Sequence, residues 1–100
     1  MTACLDRLAI YTAGRTVEAF LAEPMRVDAV AMNLLVIGEG ANQLSEELKA
    51  LVPAPWPSIV GLRHRLAHAY PGVDPTILWN SAVARAPELR ALLSDLLERR

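Results

Sequence analysis

Two arginines, two histidines and a tyrosine fall within the eight residues Arg63-His64-Arg65-Leu66-Ala67-His68-Ala69-Tyr70, and the chain has no other histidine. Guanidinium groups grip phosphate through charge-assisted hydrogen bonds. Imidazoles exchange protons near neutral pH, as proton transfer in catalysis requires. On a helix with about 100° per residue, His64 and His68 lie one turn apart on one face. Arg63 and Tyr70 also share a face, about 20° apart, whereas Arg63 and His68 diverge by about 140°. An ideal helix therefore does not bring the tips of Arg63 and His68 together. Arginine's length, fraying of the turn before Pro71, or a second copy across a dimer axis can close the gap; we favour a composite site at a two-fold axis.

Three chemistries suit this segment. The arginines can be solvated surface charge, with the histidines placed near a helix C-terminus, where cations are favoured. His64 and His68 can chelate a metal, but with no third histidine and a lone cysteine, carboxylates would have to complete the site. The third is phosphodiester chemistry, with Arg63 holding a phosphate and His68 moving a proton; neither role needs a metal or a cofactor.

The rest of the chain bounds the setting. One hundred residues make one small domain, because so short a chain cannot bury two separate cores. A net charge of −1 excludes wholesale electrostatic binding of nucleic acid, so any RNA contact must be a local patch. With 53% apolar residues, some surface is expected to be buried against a second copy. Cys4 is the only cysteine, which rules out an internal disulfide and fits a reducing cytosol; its spacing to Leu8 marks it as core filler. No apolar run reaches the length of a membrane span, and Asp6 and Arg7 interrupt any leader, so the chain reads as cytoplasmic with no membrane contact.

The elements that must carry the segment are helical. Leu5, Leu8 and Ala9 begin a helix ending near Ala13-Gly14. Thr16 can cap a short helix that stops at Glu23-Pro24. Val27, Val30, Ala31, Leu34, Ile37, Ala41, Leu44, Leu48 and Leu51 share one face, predicting a single long helix in which Gly38 and Gly40 mark a close crossing. The prolines at 53, 55 and 57 end it, and Ser58 can cap the motif helix, which runs to about Tyr70 and closes at Pro71-Gly72. Asp74-Pro75 restarts a helix, and Pro87 is expected to divide the C-terminal stretch into two helices. The fold class is an all-α bundle of about five helices in one domain, residues 1–100.

With those elements placed, the chain resembles the HepT-like branch of the HEPN superfamily, whose motif is Arg-x4-His-x-Tyr. Arg63, His68 and Tyr70 fill it. Asn33-Leu34-Leu35-Val36-Ile37-Gly38-Glu39, Pro55-Trp56, Ile59-Val60-Gly61-Leu62-Arg63 and Val73-Asp74 with Leu78-Trp79 resemble the flanking landmarks, as do Tyr11-Thr12-Ala13-Gly14 and Phe20-Leu21-Ala22-Glu23-Pro24-Met25. The resemblance implies a homodimeric HEPN-type bundle acting as a metal-independent ribonuclease toxin, paired with a minimal nucleotidyltransferase antitoxin. It implies 2′-hydroxyl attack on the adjacent phosphate, with Arg63 stabilising the phosphate and His68 as general base or acid at the dimer cleft. Tyr70 matches the tyrosine that the antitoxin modifies with AMP. His64 stands where the family usually carries asparagine, and can contact RNA, join proton transfer or orient Arg63. The first helix is shorter than in relatives, and Gly40 replaces a common alanine. The alternative function is a non-catalytic nucleotide-binding or scaffold subunit of a nucleotidyltransferase complex.

Among the remaining residues, Trp56 and Trp79 are expected as core or interface anchors. Glu39, if buried, needs a cation such as a motif arginine, which it would then position. Asn33 is either a buried helix–helix hydrogen bond or surface. Arg65 faces away from Arg63 and can widen a basic patch for RNA. Glu46, Glu47 and Lys49 read as a solvated face, and Glu98-Arg99-Arg100 as a frayed end.

Overall fold

In a computed structural model of the chain, residues 1–70 and 72–98 are described. Pro71, Arg99 and Arg100, expected from the sequence as part of a helix stop and a frayed cationic end, lie outside them. Helices account for every regular element among the described residues: α1 (Thr2–Thr12), α2 (Val17–Leu21), α3 (Pro24–Gln43), α4 (Glu46–Leu51), α5 (Trp56–Ala69), α6 (Pro75–Asn80) and α7 (Ala86–Glu98). A π-helical turn, Ser81–Arg85, joins α6 to α7. The fold is an all-α, HEPN-type bundle.

α3 is the central helix, packing along α5 on one side and α1 on the other. α7 closes against α1, while α2 and α6 meet at one end, where the Phe20 and Trp79 rings stand 5.2 Å apart. Leu8, Phe20, Val30 and Leu78 are the largest fully buried side chains, and burial of such groups is the main force holding the helices together. Cys4 lies in this core, as its spacing predicts.

Several boundaries follow the local rules. Gly14 adopts φ +68°, the left-handed conformation glycine takes after a helix end without a Cβ penalty. The Thr16 and Asp74 side chains accept from the Ala19 and Thr76 N–H groups and cap α2 and α6. At the corner of α1, α2 and α3, Arg15 and Arg26 both pair with Glu23, and Arg26 also donates to the Tyr11 carbonyl at 3.0 Å. The hydrogen bond from Arg26 outweighs the partial burial of the Glu23 carboxyl and, with Arg15, holds it below the usual range. That corner fixes where α3 starts.

Three expectations are corrected. The long helix does not run to Leu51: Leu44 turns extended with ψ 141°, and Ser45 caps a new helix by accepting from the Leu48 N–H at 3.2 Å. Apolar spacing continues across this break, but Leu48 and Leu51 of α4 are exposed and no residue of that helix is buried, so the buried face of α3 ends with α3, and the cap and the acidic first turn of α4 start a separate helix. Ser58 does not cap α5. That helix begins at Trp56, whose indole N–H donates to the Lys49 and Val52 carbonyls at 3.1 Å and pins the turn, with Pro57 in the first turn where no N–H is needed. Nor does Pro87 divide the last helix. The Ala86 N–H reaches the Ser81 carbonyl, five residues back, and this wider turn absorbs the missing donor and ring of proline without a break.

Candidate functional site

The motif sits on α5 where that helix lies against α3, and Gly38 sets the approach. A Cβ built at Gly38 would stand 2.2 Å from the Arg63 Cβ, so only glycine permits this crossing. The next residue of α3, Glu39, receives the Arg63 Nε–H at 2.5 Å on Oε1, with Nη2 of Arg63 beside the same oxygen. Both side chains stay partly exposed, 25% for Arg63 and 42% for Glu39. At that exposure the pair contributes little stability, so its consequence is orientation. Glu39 covers one edge of the guanidinium and leaves the Nη1 amino group and an outer N–H of Nη2 for another anion.

His64, the next residue, and His68, one turn beyond it on α5, are exposed, their rings in tilted contact with centroids 4.5 Å apart. Arg63 turns to Glu39 while His68 turns to His64, as their separation around the helix requires. Tyr70 lies just past the end of α5, in extended backbone, and its hydroxyl donates to Oδ1 of Asp28 on α3. The hydrogen bond to that carboxylate, then partial burial, then its negative charge push the phenol up to about 12.

Asp28 was not legible as a site residue from its own surroundings in sequence. A signal exists in the pairing: Asp28 and Glu39 are eleven residues apart on α3, within about 20° of one face, and Arg63 and Tyr70 are seven apart with the same small offset on α5. Antiparallel packing then matches Glu39 with Arg63 and Asp28 with Tyr70.

The structure separates Arg65 from this group. Arg65 is exposed and lines a groove of about 510 Å³ on another side of α5, together with Leu34, Ile37, Leu62, Arg85 and Leu89. Arg63, His64, His68 and Tyr70 are not part of that groove, so the residues with chemistry form an open surface site and the groove lies elsewhere. Asn33 is buried, but its side-chain amide donates to the Ala29 carbonyl of its own helix at 2.8 Å, so it makes no helix–helix bond. Trp56 is core, and Trp79 packs against that core through Phe20. Among the described residues no three histidine, cysteine, aspartate or glutamate side chains are grouped to hold a metal ion. No helix among them is long and apolar enough to cross a membrane.

An all-α bundle with an Arg/His/Tyr segment on one helix, clasped at two points by carboxylates of its neighbour, defines the class. The family model described as ribonuclease HepT-like matches residues 1–96. A relative from Caldanaerobacter subterraneus subsp. tengcongensis that carries an RNase name is 31% identical over 87 residues, covering 86% of this chain and 78% of its own length. One from Thermococcus cleftensis, named as a ribonuclease HepT, is 34% identical over 80 residues, 79% of this chain and 73% of its own. One from Methanocaldococcus jannaschii, also with an RNase name, is 30% identical over 91 residues, 86% and 75% of the two chains. No solved structure gives a significant match. The chain belongs to the HepT-like ribonuclease family.

Proposed function

We propose that the protein is a metal-independent endoribonuclease, the toxin of a HEPN/nucleotidyltransferase toxin–antitoxin module acting in the cytoplasm. The observation that carries this reading is Arg63 held along one edge by Glu39, with donors left over, on the same helix as the exposed His68. A scissile phosphate takes the free guanidinium donors, which stabilise charge building on its oxygens. His68 accepts the proton of the ribose 2′-hydroxyl or returns one to the leaving 5′-oxygen. The 2′-oxygen bonds to phosphorus, the bond to the 5′-oxygen breaks, and the product ends in a cyclic phosphate. His64, against His68, orients that ring or contacts RNA, and Arg65 binds phosphate further along the strand.

The working unit is a homodimer with Arg63 of one protomer facing His68 of the other. Two features favour it. The chain is a slab 41 × 30 × 16 Å, under two helix diameters thick, too thin to cover every apolar face. Met25, Met32 and Val36 of α3, 87, 57 and 45% exposed, line one helix face beside the motif. The antitoxin modifies Tyr70 with AMP, which adds bulk and negative charge beside the phosphate site and repels RNA. The test is an oligonucleotide with a single 2′-deoxy residue at a mapped cleavage position. Cleavage there should stop while neighbouring positions are still cut to cyclic phosphate ends; cleavage at the deoxy position would overturn the mechanism.

A further inference from the structure

We infer that Asp28 is a positioning residue for His68, acting through Tyr70, and that modification of the Tyr70 hydroxyl inactivates the site by opening this clasp. The inference rests on the reading of His68 and Tyr70 as parts of a ribonuclease site.

Leu66 is the last buried side chain of α5; Ala67, His68, Ala69 and Tyr70 are all exposed, and the next described residue that is buried is Val73. The helix turn that carries His68 is therefore not anchored by the core. Its last carbonyl is held locally, with the Gly72 N–H donating to Ala69 at 2.6 Å. Among the described residues, the Tyr70–Asp28 bond is the one hydrogen bond or ion pair by which a side chain of residues 67–70 reaches another helix. The other end of the motif has its own clasp in Glu39–Arg63, backed by the close crossing at Gly38. α3 thus holds the motif at both ends with two carboxylates on one face, and the Asp28 end lacks any buried support.

Adenylylation forms a bond from the Tyr70 oxygen to the α-phosphorus of ATP, releases pyrophosphate, and takes away the phenol proton. The modified oxygen has nothing to donate to Asp28, and the new phosphodiester anion faces the Asp28 carboxylate. Attraction becomes repulsion, and the turn carrying His68 is released from α3. This effect adds to the obstruction of RNA by bulk and charge.

Tyr70→Phe and Asp28→Ala open the clasp without bulk or added charge; Asp28→Asn keeps an acceptor for the hydroxyl. We expect amide exchange at residues 67–70 to quicken about tenfold in the first two, as loss of a charge-assisted bond predicts, and to stay near the parent rate in Asp28→Asn. RNA cleavage should show kcat lowered about tenfold with KM little changed in the same two variants, restored in Asp28→Asn. The double variant should be no worse than either single change. Parent-like exchange in Tyr70→Phe or Asp28→Ala overturns the clasp, and a faster turn with unchanged kcat overturns its link to His68. If exchange behaves as expected but the parent chain cuts no RNA, the ribonuclease reading fails and, with it, the role for His68, while the clasp itself stands.

Discussion

Gly38→Ala is the substitution in which the packing account is most exposed. Alanine is favoured over glycine in a helix interior by about 1 kcal/mol, so local propensity alone predicts a more stable protein. The structure predicts the reverse. The new Cβ would stand 2.2 Å from the Arg63 Cβ, 2.9 Å from its Cγ and 3.2 Å from its Cα. Carbon atoms pack at about 3.5 Å or more, so α3 and α5 must part locally by roughly 1 Å. The obstructing atoms are the root and backbone of Arg63, which no rotation of its side chain removes. Overpacking of this kind costs about 1–3 kcal/mol, leaving a net loss of about 1 kcal/mol after the propensity gain and a melting temperature lower by about 4–8 °C. The same displacement draws Arg63 away from Glu39. Misplacing a reacting group by ~1 Å can cost about a hundredfold in rate, and we expect RNA cleavage to fall at least tenfold. Gly40→Ala is the control on the same helix: its Cβ meets only the flexible Met1 Cε at 3.3 Å, so it should raise the melting temperature slightly and leave cleavage intact. Thermal melts and single-turnover cleavage of all three proteins decide the matter. A Gly38→Ala protein as stable and active as Gly40→Ala would refute the close crossing.

Glu39→Gln should lower cleavage severalfold while shifting stability by less than about 1 kcal/mol, because the pair it weakens is partly exposed; a chemical melt beside the rate separates the two effects. Tyr70 should titrate by ultraviolet absorbance near 12, and Asp28→Asn should return it toward 10.0. Because the folded value is the higher, the stability tied to Tyr70 is complete below 10.0 and is lost as pH rises through about 12. Asp74 has the opposite sign: its bond to the Thr76 N–H holds the carboxyl below its ordinary 3.8, so the cap contributes fully above that value and is lost as pH falls through the folded one, and Asp74→Ala should flatten this acid limb of the stability curve. If the working site is composite, mixing inactive Arg63→Ala and His68→Ala chains should restore roughly a quarter of parental cleavage, since half the dimers would keep one intact pair. No recovery on mixing would place both residues within one protomer.

The sequence carried the all-α class, the caps at Thr16 and Asp74, the positive-φ Gly14 and, of the two glycines expected at a close crossing, Gly38 but not Gly40, which faces only the end of the Met1 side chain. It also carried the Glu39–Arg63 pairing as a conditional expectation: a carboxylate on an apolar helix needs a cation, and the motif helix offers one. The errors share a cause. Apolar spacing is silent on whether the backbone continues, so it joined the exposed Leu48 and Leu51 of α4 to the buried face of α3 across Ser45. A proline rule counts missing hydrogen bonds one at a time, so it did not foresee the π-helical turn that accommodates Pro87. The pairing of Asp28 with Tyr70 depends on how α3 and α5 are set against each other, which a single chain's pattern does not encode.

The most direct test of the central claim is cleavage of cellular RNA in excess chelator by the parent protein, Arg63→Ala and His68→Ala, each checked for folding and for an unmodified Tyr70. The account predicts cyclic phosphate products from the parent alone, with both variants reduced to background. Cleavage that vanishes with chelator, or that survives undiminished in either variant, would contradict it.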